Sequence, residues 1–308
     1  MKILILLASG IGNSILFSPT LKELRKKYPN SKIDIFAYKK PFAEPFVGSN
    51  LIDNVYTYSG LKTILKLRKN KYDISITAFP SNRWQFNLFA FLVGAKKRLT
   101  HSYNVGTFKT LSFLQNCKIK ANEKIHDVDQ NLNLLKLLDL KIPINGEVFF
   151  SINDRNKKYA KDFIKKNKLT NKHIIGIHPG SGPLDYKRVS LDIFIKHINK
   201  NKQKNSILLI FGSKDEKGIK EEIKDKLTMK SYIIKTNLKD TAALIKNCDL
   251  FITNDTGLMH IASTSKKTRI IALFNGTCYT RTSPYTKNSK IIVLKENILK
   301  YPFRSTRP

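Results

Sequence analysis

Short apolar runs and longer segments of mixed polarity alternate along the chain. Lys2–Leu7 is apolar throughout except for the lysine at its start, which is the pattern of a strand that is buried on both faces. A polar stretch with two glycines follows at residues 9–13, and apolar residues then recur at helical spacing as far as Tyr28. Residues 32–36 are predicted as a second strand. This order of strand, loop, helix and strand predicts a βαβ unit with a parallel sheet.

The same alternation continues along the chain, with a break near residues 141–146. The pattern predicts two successive α/β domains, residues 1–150 and 151–294, and a short tail at 295–308. Ligands of open parallel sheets bind beyond the carboxyl ends of the strands, so we expect a site in a cleft between the domains. The other predicted elements are helices at Leu61–Lys69 and residues 131–138, 156–167, 191–199, 217–227, 241–246 and 258–263, and strands at residues 55–58, 74–79, 174–178, 206–211, 232–235, 250–253, 270–274 and 291–294.

Composition excludes several classes of protein. The chain of 308 residues is 41% hydrophobic, as folded proteins are, and its three cysteines form no CxxC pair. Neither a disulfide scaffold nor a zinc ribbon is therefore expected. The apolar N-terminus resembles the core of a signal peptide, but the polar loop directly after it favours a buried strand. The longest later apolar stretch, residues 86–95, is too short to span a bilayer, so we expect a soluble cytoplasmic protein.

The net charge of +33 is the most unusual property of the composition. Only ten of the 56 basic residues are arginines, and the lysines are spread along the whole chain. A surplus of lysine beside abundant asparagine and isoleucine is what an AT-rich genome produces, whereas specific readers of nucleic acids favour arginine. The charge therefore favours attraction to an anionic membrane surface and indicates no specific nucleic-acid partner.

Gly10 and Gly12 flank Ile11 in the loop after the first predicted strand. Such a pair indicates phosphate binding, but a complete GxGxxG fingerprint needs a third glycine where Ile15 stands. No acidic residue ends the second strand, so a nicotinamide-dependent epimerase or dehydrogenase is a disfavoured alternative. The two glycines either permit a tight turn or let a ligand approach the backbone.

A second candidate loop follows the predicted strand at residues 250–253. It reads Asn254-Asp255-Thr256-Gly257 and opens a helix, whose first N–H groups suit a pyrophosphate. Asp255 is placed to accept hydrogen bonds from sugar hydroxyls. The alternative is that Asp255 or Thr256 only caps the helix.

Taken in order, the loops of the second half form a more specific pattern. The stretches that form it are His178-Pro179-Gly180-Ser181, Lys187-Arg188, residues 211–216, Asp255-Thr256-Gly257-Leu258-Met259-His260-Ile261-Ala262, residues 274–277 and residues 283–285. The N-terminal segment adds Ser9-x-x-Gly12, Ser18-Pro19 and Tyr28-Pro29. With these features the chain resembles, from Met1 to about residue 294, the heptosyltransferases of glycosyltransferase family 9, which build the lipopolysaccharide core.

The resemblance implies a GT-B architecture, in which two Rossmann-like domains face a cleft. The first domain would bind the acceptor and the second the nucleotide-sugar, and transfer would invert the anomeric carbon without a metal ion or another cofactor. For the donor phosphates the resemblance implies contact and catalysis by Lys187 and a loop at Thr256 and Gly257. It implies that Glu216 binds the ribose, that Asp255 binds the hydroxyls of the donor sugar, and that Ser181 and His260 are further donor-binding positions. On the acceptor side it implies a loop at Gly10, Gly12 and Asn13. His260 has an alternative role as a helix residue that shapes the loop.

The chain departs from the family pattern at the first loop. The family's loop usually ends in Gly-Asp, and that aspartate is the candidate general base, whereas this chain has Asn13. An amide cannot accept a proton at neutral pH, and a positioned base contributes about 10²- to 10⁴-fold in rate. Either Asn13 has the catalytic role of orienting the acceptor while another group accepts the proton, with His101 and Asp73 as candidates in the first half, or the protein is slow or inactive. Val189-Ser190 also stands where the family has Trp-Pro, and residues 296–301 are a short substitute for a C-terminal helix.

These observations predict an inverting glycosyltransferase that moves heptose from ADP-heptose onto a lipopolysaccharide core or a related lipid-linked envelope saccharide. It would be cytoplasmic, or peripheral at the inner face of the inner membrane. Three alternatives stay open: a weakly active member that binds the donor, a transferase for another nucleotide-sugar, and a binder of anionic polymers.

Overall fold

The computed structural model describes residues 1–103, 107–144, 146–182 and 184–295. These residues form two compact units that divide after Ser151, and each is built on a six-stranded sheet in which all neighbouring strands are parallel. None of the helices in this part of the chain is long and apolar enough to cross a bilayer.

The first sheet has the strand order β3-β2-β1-β4-β5-β6. The chain runs outward from β1 to β3, returns to the other side of β1 and runs outward again to β6, which is the order of a Rossmann fold. The strands are β1 (Lys2–Leu7), β2 (Lys32–Ala37), β3 (Asn54–Thr57), β4 (Ile74–Thr77), β5 (Lys97–Ser102) and β6 (Cys117–Lys120). The helices are α1 (Ile11–Lys27), α2 (Leu61–Lys69), α3 (Trp84–Val93), α4 (Thr107–Thr110) and α5 (Asp127–Asn133).

The second sheet repeats this topology, in the order β12-β11-β10-β7-β8-β9. Its strands are β7 (His173–His178), β8 (Ser206–Ile210), β9 (Ser231–Ile233), β10 (Leu250–Asn254), β11 (Arg269–Asn275) and β12 (Ser289–Lys295). Its helices are α6 (Asp154–Lys166), α7 (Leu191–Asn201), α8 (Lys217–Asp225), α9 (Leu238–Ile245), α10 (Gly257–Ala262) and α11 (Tyr279–Thr282).

Each unit has its own apolar core between sheet and helices. In β1 every residue from Ile3 to Leu7 is buried, as a strand covered on both faces requires. Asp34 in β2 is a buried carboxylate, and it accepts hydrogen bonds from the Tyr72 hydroxyl (2.7 Å) and the Asn54 amide (2.8 Å). These partners offset the cost of removing the carboxylate from water. The prediction of parallel α/β structure in both halves is confirmed.

Two predicted boundaries differ from the structure. The helix α1 begins at Ile11, inside the predicted loop at residues 9–13, because the Gly10 carbonyl already accepts the Ser14 N–H. The helix predicted at residues 131–138 is instead α5 followed by a 3₁₀ segment, Leu134–Leu138. The ring of His126 accepts the Val128 N–H and so starts this helix earlier than the apolar spacing indicated.

Five of the labelled elements were missed in the sequence: the short helices α4 and α11, the helix α3, and the strands β5 and β6. The helix α3 is apolar on nearly all sides, so it shows no amphipathic period, and it ends at Gly94 in a left-handed conformation (φ +77°). Lysine and arginine side chains interrupt β5 and β6 and hide their strand pattern. The predicted substitute helix at residues 296–301 lies outside the described residues, as does the predicted tail beyond residue 295.

Candidate functional site

Loops with polar side chains leave the carboxyl ends of β7, β8 and β10 in the second unit. In the chain, β7 and β10 are separated by three α-helices and two strands, but in the sheet they are neighbours. The strand order reverses between them, so the loops that follow them diverge at this point. Ligands of doubly wound sheets bind at such a point. His178 ends β7, Glu216 follows β8 and Asp255 follows β10, so these side chains share one edge of the sheet.

Glu216 joins three of these segments. Its carboxylate accepts hydrogen bonds from the backbone N–H of Gly182 (2.9 Å) and of Ser213 (2.7 Å), and Nε2 of His178 lies 3.2 Å from it. Burial alone would raise the pKa of Glu216, but the hydrogen bond and charge of His178 and the two N–H groups hold that pKa far below its usual range. Glu216 is therefore an anion throughout the physiological pH range.

Two glycines make room for this carboxylate. A Cβ atom at Gly180 would stand only 1.9 Å from Oε1 of Glu216, and one at Gly212 would stand 2.8 Å from Oε2. Gly212 also has a φ of +150°, which residues with a side chain rarely adopt. The Glu216 network thus requires glycine at both positions.

His178 and Asn254 were quoted in the sequence analysis only as members of longer motifs, and neither was given a role. Because the carboxylate of Glu216 can only accept, Nε2 of His178 is the donor, and Nδ1 faces the Thr256 hydroxyl at 2.9 Å. The buried amide of Asn254 donates to the carbonyls of Pro179 and Gly180, both at 2.9 Å. The signal available in the sequence was position, since each is the last residue of a mostly apolar strand that leads into a polar loop.

Lys187 and Asp255 form an ion pair at the same edge. Nζ of Lys187 lies 2.7 Å from Oδ2 of Asp255, with 18% and 6% of the two side chains exposed. The 3₁₀ segment that holds the lysine, Asp185–Lys187, is fixed to the end of β11, because the Asn275 amide donates to the carbonyls of Tyr186 and Arg188. An ammonium group has three donors, so Lys187 is oriented by Asp255 and can still bind an anion.

The structure places the remaining predicted donor residues around this pair. Thr256 occupies the N-cap position of α10, but its side chain contacts His178, and no side chain in the described chain caps this helix. Thr256 therefore holds the capping position without making the capping hydrogen bond, and the side chain of Asp255 pairs with Lys187 instead. The hydroxyl of Ser181 is buried without a hydrogen-bond partner among the described residues, and His260 is buried within α10, directly after Gly257 and two apolar residues.

The loop of the first unit that the sequence predicted to face the acceptor lies at the corresponding point of its own sheet. Gly10 precedes α1, while Gly12 and Asn13 lie in its first turn. A Cβ atom at Gly10 would meet nothing within 4 Å, so space beside this backbone is open. Asn13 lines a small crevice with Ser9 and Phe79.

Neither candidate for the missing base fits the structure. His101 is fully buried, with Nε2 bound to the Gln130 carbonyl at 3.0 Å, so no substrate reaches it. Asp73 precedes β4 at the amino edge of the sheet, where it accepts the Lys2 N–H and pairs with Lys96. The loop after β1 lies at the opposite edge.

Burial of His101 predicts a specific dependence of stability on pH. Desolvation lowers its pKa from 6.5 to about 4, against the opposing effect of the bond to Gln130. Between pH 6.5 and about pH 4, His101 binds a proton in the unfolded chain but stays neutral in the folded chain. The free energy of unfolding therefore falls as the pH drops through this range. At pH 5 the loss relative to pH 7 is about 2 kcal/mol. In His101→Gln, which keeps a donor for Gln130, urea unfolding at the two pH values will lack this contribution; an equal pH dependence in both proteins would contradict it.

Comparison with known proteins identifies the family. The profile of Glycosyltransferase family 9 (heptosyltransferase) matches residues 61–305. A lipooligosaccharide heptosyltransferase 2 of Campylobacter jejuni (serotype O:6) is 28% identical, over 96% of this chain and 88% of the relative.

Solved structures show the same fold. The Escherichia coli ADP-heptose lipopolysaccharide heptosyltransferase II superimposes with a TM-score of 0.76 at 20% identity, over 95% of this chain and 90% of that one. The E. coli heptosyltransferase WaaC with ADP gives a TM-score of 0.72 at 15% identity, over 95% and 91% of the two chains. The two Rossmann-like units are thus those of the GT-B glycosyltransferases. The chain belongs to glycosyltransferase family 9, the heptosyltransferase family.

Proposed function

We propose that the protein transfers heptose from ADP-heptose onto a lipopolysaccharide or lipooligosaccharide core, with inversion and without a metal ion. Membership of the family supports the transfer of heptose. The relative from C. jejuni is named for lipooligosaccharide, and the two E. coli structures are named for ADP-heptose, lipopolysaccharide and ADP. In this proposal the second unit binds the donor and the first unit the acceptor.

One observation supports the donor site: the Lys187–Asp255 ion pair and the hydrogen-bond network of Glu216, His178 and Thr256 lie at the same edge of the second sheet. A diphosphate bound there would receive hydrogen bonds from the ammonium group of Lys187 and from N–H groups near Thr256 and Gly257. The hydroxyl of Ser181, which has no hydrogen-bond partner among the described residues, would gain one from the ligand. Glu216 holds the loop that precedes Lys187 in place, and its ionised carboxylate accepts hydrogen bonds from the ribose hydroxyls.

The reaction is a single in-line displacement. An acceptor hydroxyl attacks the anomeric carbon, a new C–O bond forms there, and the bond between that carbon and the diphosphate oxygen breaks. Negative charge develops on the leaving diphosphate, and Lys187 stabilises that charge. The proton of the attacking hydroxyl passes to a base. This base is not Asn13, because an amide cannot take the proton, and Asn13 instead orients the acceptor.

Asn13 also supports a second candidate, a family member that binds the donor but transfers slowly. A missing base would lower the rate by about 10²- to 10⁴-fold while leaving donor affinity intact. Measurement of donor binding and of transfer on the same preparation separates the two candidates.

Stabilisation by nucleotides tests the donor site. At a concentration one hundred times its dissociation constant, a ligand adds about 2.7 kcal/mol of stability, which is about 5–10 °C in the melting temperature of a unit of this size. We expect ADP and ADP-heptose to give this shift, and UDP and GDP to give little. Equal shifts with all three diphosphates would contradict the choice of ADP.

Transfer itself is tested with ADP-heptose and a deacylated core saccharide in the presence of EDTA. We expect product with the inverted anomeric configuration, read by NMR, at an unchanged rate after chelation. Retained configuration or loss of activity with EDTA would contradict the proposed mechanism.

We further propose that the enzyme works at the inner face of the inner membrane, held there by its net charge of +33. Each lysine near an anionic headgroup contributes about 1 kcal/mol, and salt screens this attraction. Binding to phosphatidylglycerol vesicles is therefore expected to fall steeply between low and high salt. Binding that salt does not change would contradict an electrostatic origin.

A further inference from the structure

A cavity of about 360 Å³ opens in the first unit beside the end of β1, apart from the residues discussed so far. Its wall includes Ala8 after β1, Tyr38 after β2 and Tyr58 after β3, and its other side is formed by Arg83 and α3. The cavity therefore lies at the carboxyl ends of β1, β2 and β3, on the β1 side of the point between β1 and β4 where the strand order reverses, and doubly wound sheets bind ligands at this edge.

Aromatic rings dominate the wall of this cavity. Tyr38 and Tyr58 stack with ring centroids 5.5 Å apart, and Tyr58 meets Phe89 edge to face at 6.4 Å. Tyr38, Tyr58 and Trp84 are each 47% exposed, although rings of this size are usually covered in a folded protein. Three half-exposed rings around one cavity form a surface to which a ligand can add further contact.

The polar groups at the rim select the kind of ligand. The phenol groups of the tyrosines, the indole N–H of Trp84 and the side chains of Arg83 and Gln85 supply hydrogen-bond donors next to ring faces. An acyl chain would use none of these donors. A sugar ring uses both features, since its C–H faces pack on aromatic rings while its hydroxyls accept and donate around the edge.

We infer that Tyr38, Tyr58 and Trp84 form a subsite for a sugar ring of the acceptor saccharide. This inference rests on the proposed function, in which the first unit binds the acceptor, and it identifies the residues of this chain that recognise it. The subsite adjoins Ala8, two residues before Gly10, so a sugar held there lies near the loop that ends in Asn13.

The sequence provides a direct probe, because Trp84 is its single tryptophan. Fluorescence of the full-length protein is titrated with a core saccharide from which all acyl chains have been removed, and separately with phosphatidylglycerol vesicles. We expect the saccharide to shift the Trp84 emission saturably. The variants Tyr38→Ala and Tyr58→Ala should each weaken its binding about three- to tenfold and raise its KM with little change in kcat.

Phe91→Ala is the matched control, since Phe91 lies on the same helix as Trp84, is 43% exposed and does not line the cavity. It should bind the saccharide as the wild type does. The shift in melting temperature caused by ADP should be the same in all four proteins, which shows that the variants are folded and that the donor site is intact.

The inference is overturned if the saccharide leaves the Trp84 emission unchanged, if only the vesicles shift it, or if the two tyrosine variants bind the saccharide as tightly as the Phe91 control. Each of these results would leave the proposed donor chemistry standing, because ADP binding is measured independently. Failure of ADP to stabilise the wild type would instead count against the proposed function.

Discussion

Lys187→Ala is expected to lower the rate of sugar transfer by about 10²- to 10³-fold, the usual effect of removing one group that stabilises developing negative charge. The ammonium group of Lys187 is held 2.7 Å from Asp255 at the edge where we place the diphosphate. Initial rates at saturating ADP-heptose measure the effect. Lys224→Ala on α8, an exposed lysine away from this edge, is the control and should transfer at the wild-type rate.

The ion pair has a structural effect that must be separated from this chemical one. Removing the lysine leaves the carboxylate of Asp255, of which 6% is exposed, without its cation, and we expect a loss of about 2 kcal/mol in stability. The double variant Lys187→Met, Asp255→Asn removes both charges and should recover most of that stability. It should not recover the transfer rate. If stability and rate return together, Lys187 is only a partner of Asp255 and not a catalytic group.

Gly180→Ala is expected to abolish the stabilisation by ADP and to lower the free energy of unfolding by about 3 kcal/mol. The new methyl group would overlap Oε1 of Glu216, so the carboxylate must leave the N–H groups of Gly182 and Ser213. The free energy needed to displace a buried, hydrogen-bonded charge is about as large as the free energy needed to fit an extra methyl group into a packed site. Calorimetry with and without ADP measures both effects.

Gly218→Ala is the matched control for this substitution. Gly218 lies in α8, two residues after Glu216, and a Cβ atom there meets nothing within 4 Å. Replacing a helical glycine by alanine should stabilise the protein by about 0.5–1 kcal/mol and leave ADP binding unchanged. Equal behaviour of the two variants would mean that the Glu216 network contributes nothing specific.

The parts of the fold that the sequence predicted well are those in which burial leaves one interpretation. The bounds of β1 and α2 agree with the structure, because a continuous apolar run and a clear helical period both point to a single element. Elements at the edge of a sheet need less apolar surface, so β6, with two lysines among its residues, gave no signal. The apolar helix α3 has no polar face, and its pattern therefore lacked a period.

The candidate site was predictable as a set of loops but not as a set of contacts. Loop order and the resemblance to the family predicted that Lys187, Glu216 and Asp255 share one site, and the structure brings them to one edge of the second sheet. The pairing of Lys187 with Asp255 and the space that Gly180 leaves for Glu216 depend on how distant loops close over the strands. Such contacts join residues far apart in the chain, and no local pattern encodes them.

The lysines of β6 have a consequence for the behaviour of the protein at high concentration. The outer strands of the first sheet, β3 and β6, are each four residues long, and Lys118 and Lys120 are exposed on β6. A short, charged outer strand is a poor template for pairing with a second chain, since each added strand would bring cations side by side. The same residues that hide β6 from a reading of the sequence thus protect the folded protein against aggregation through this edge.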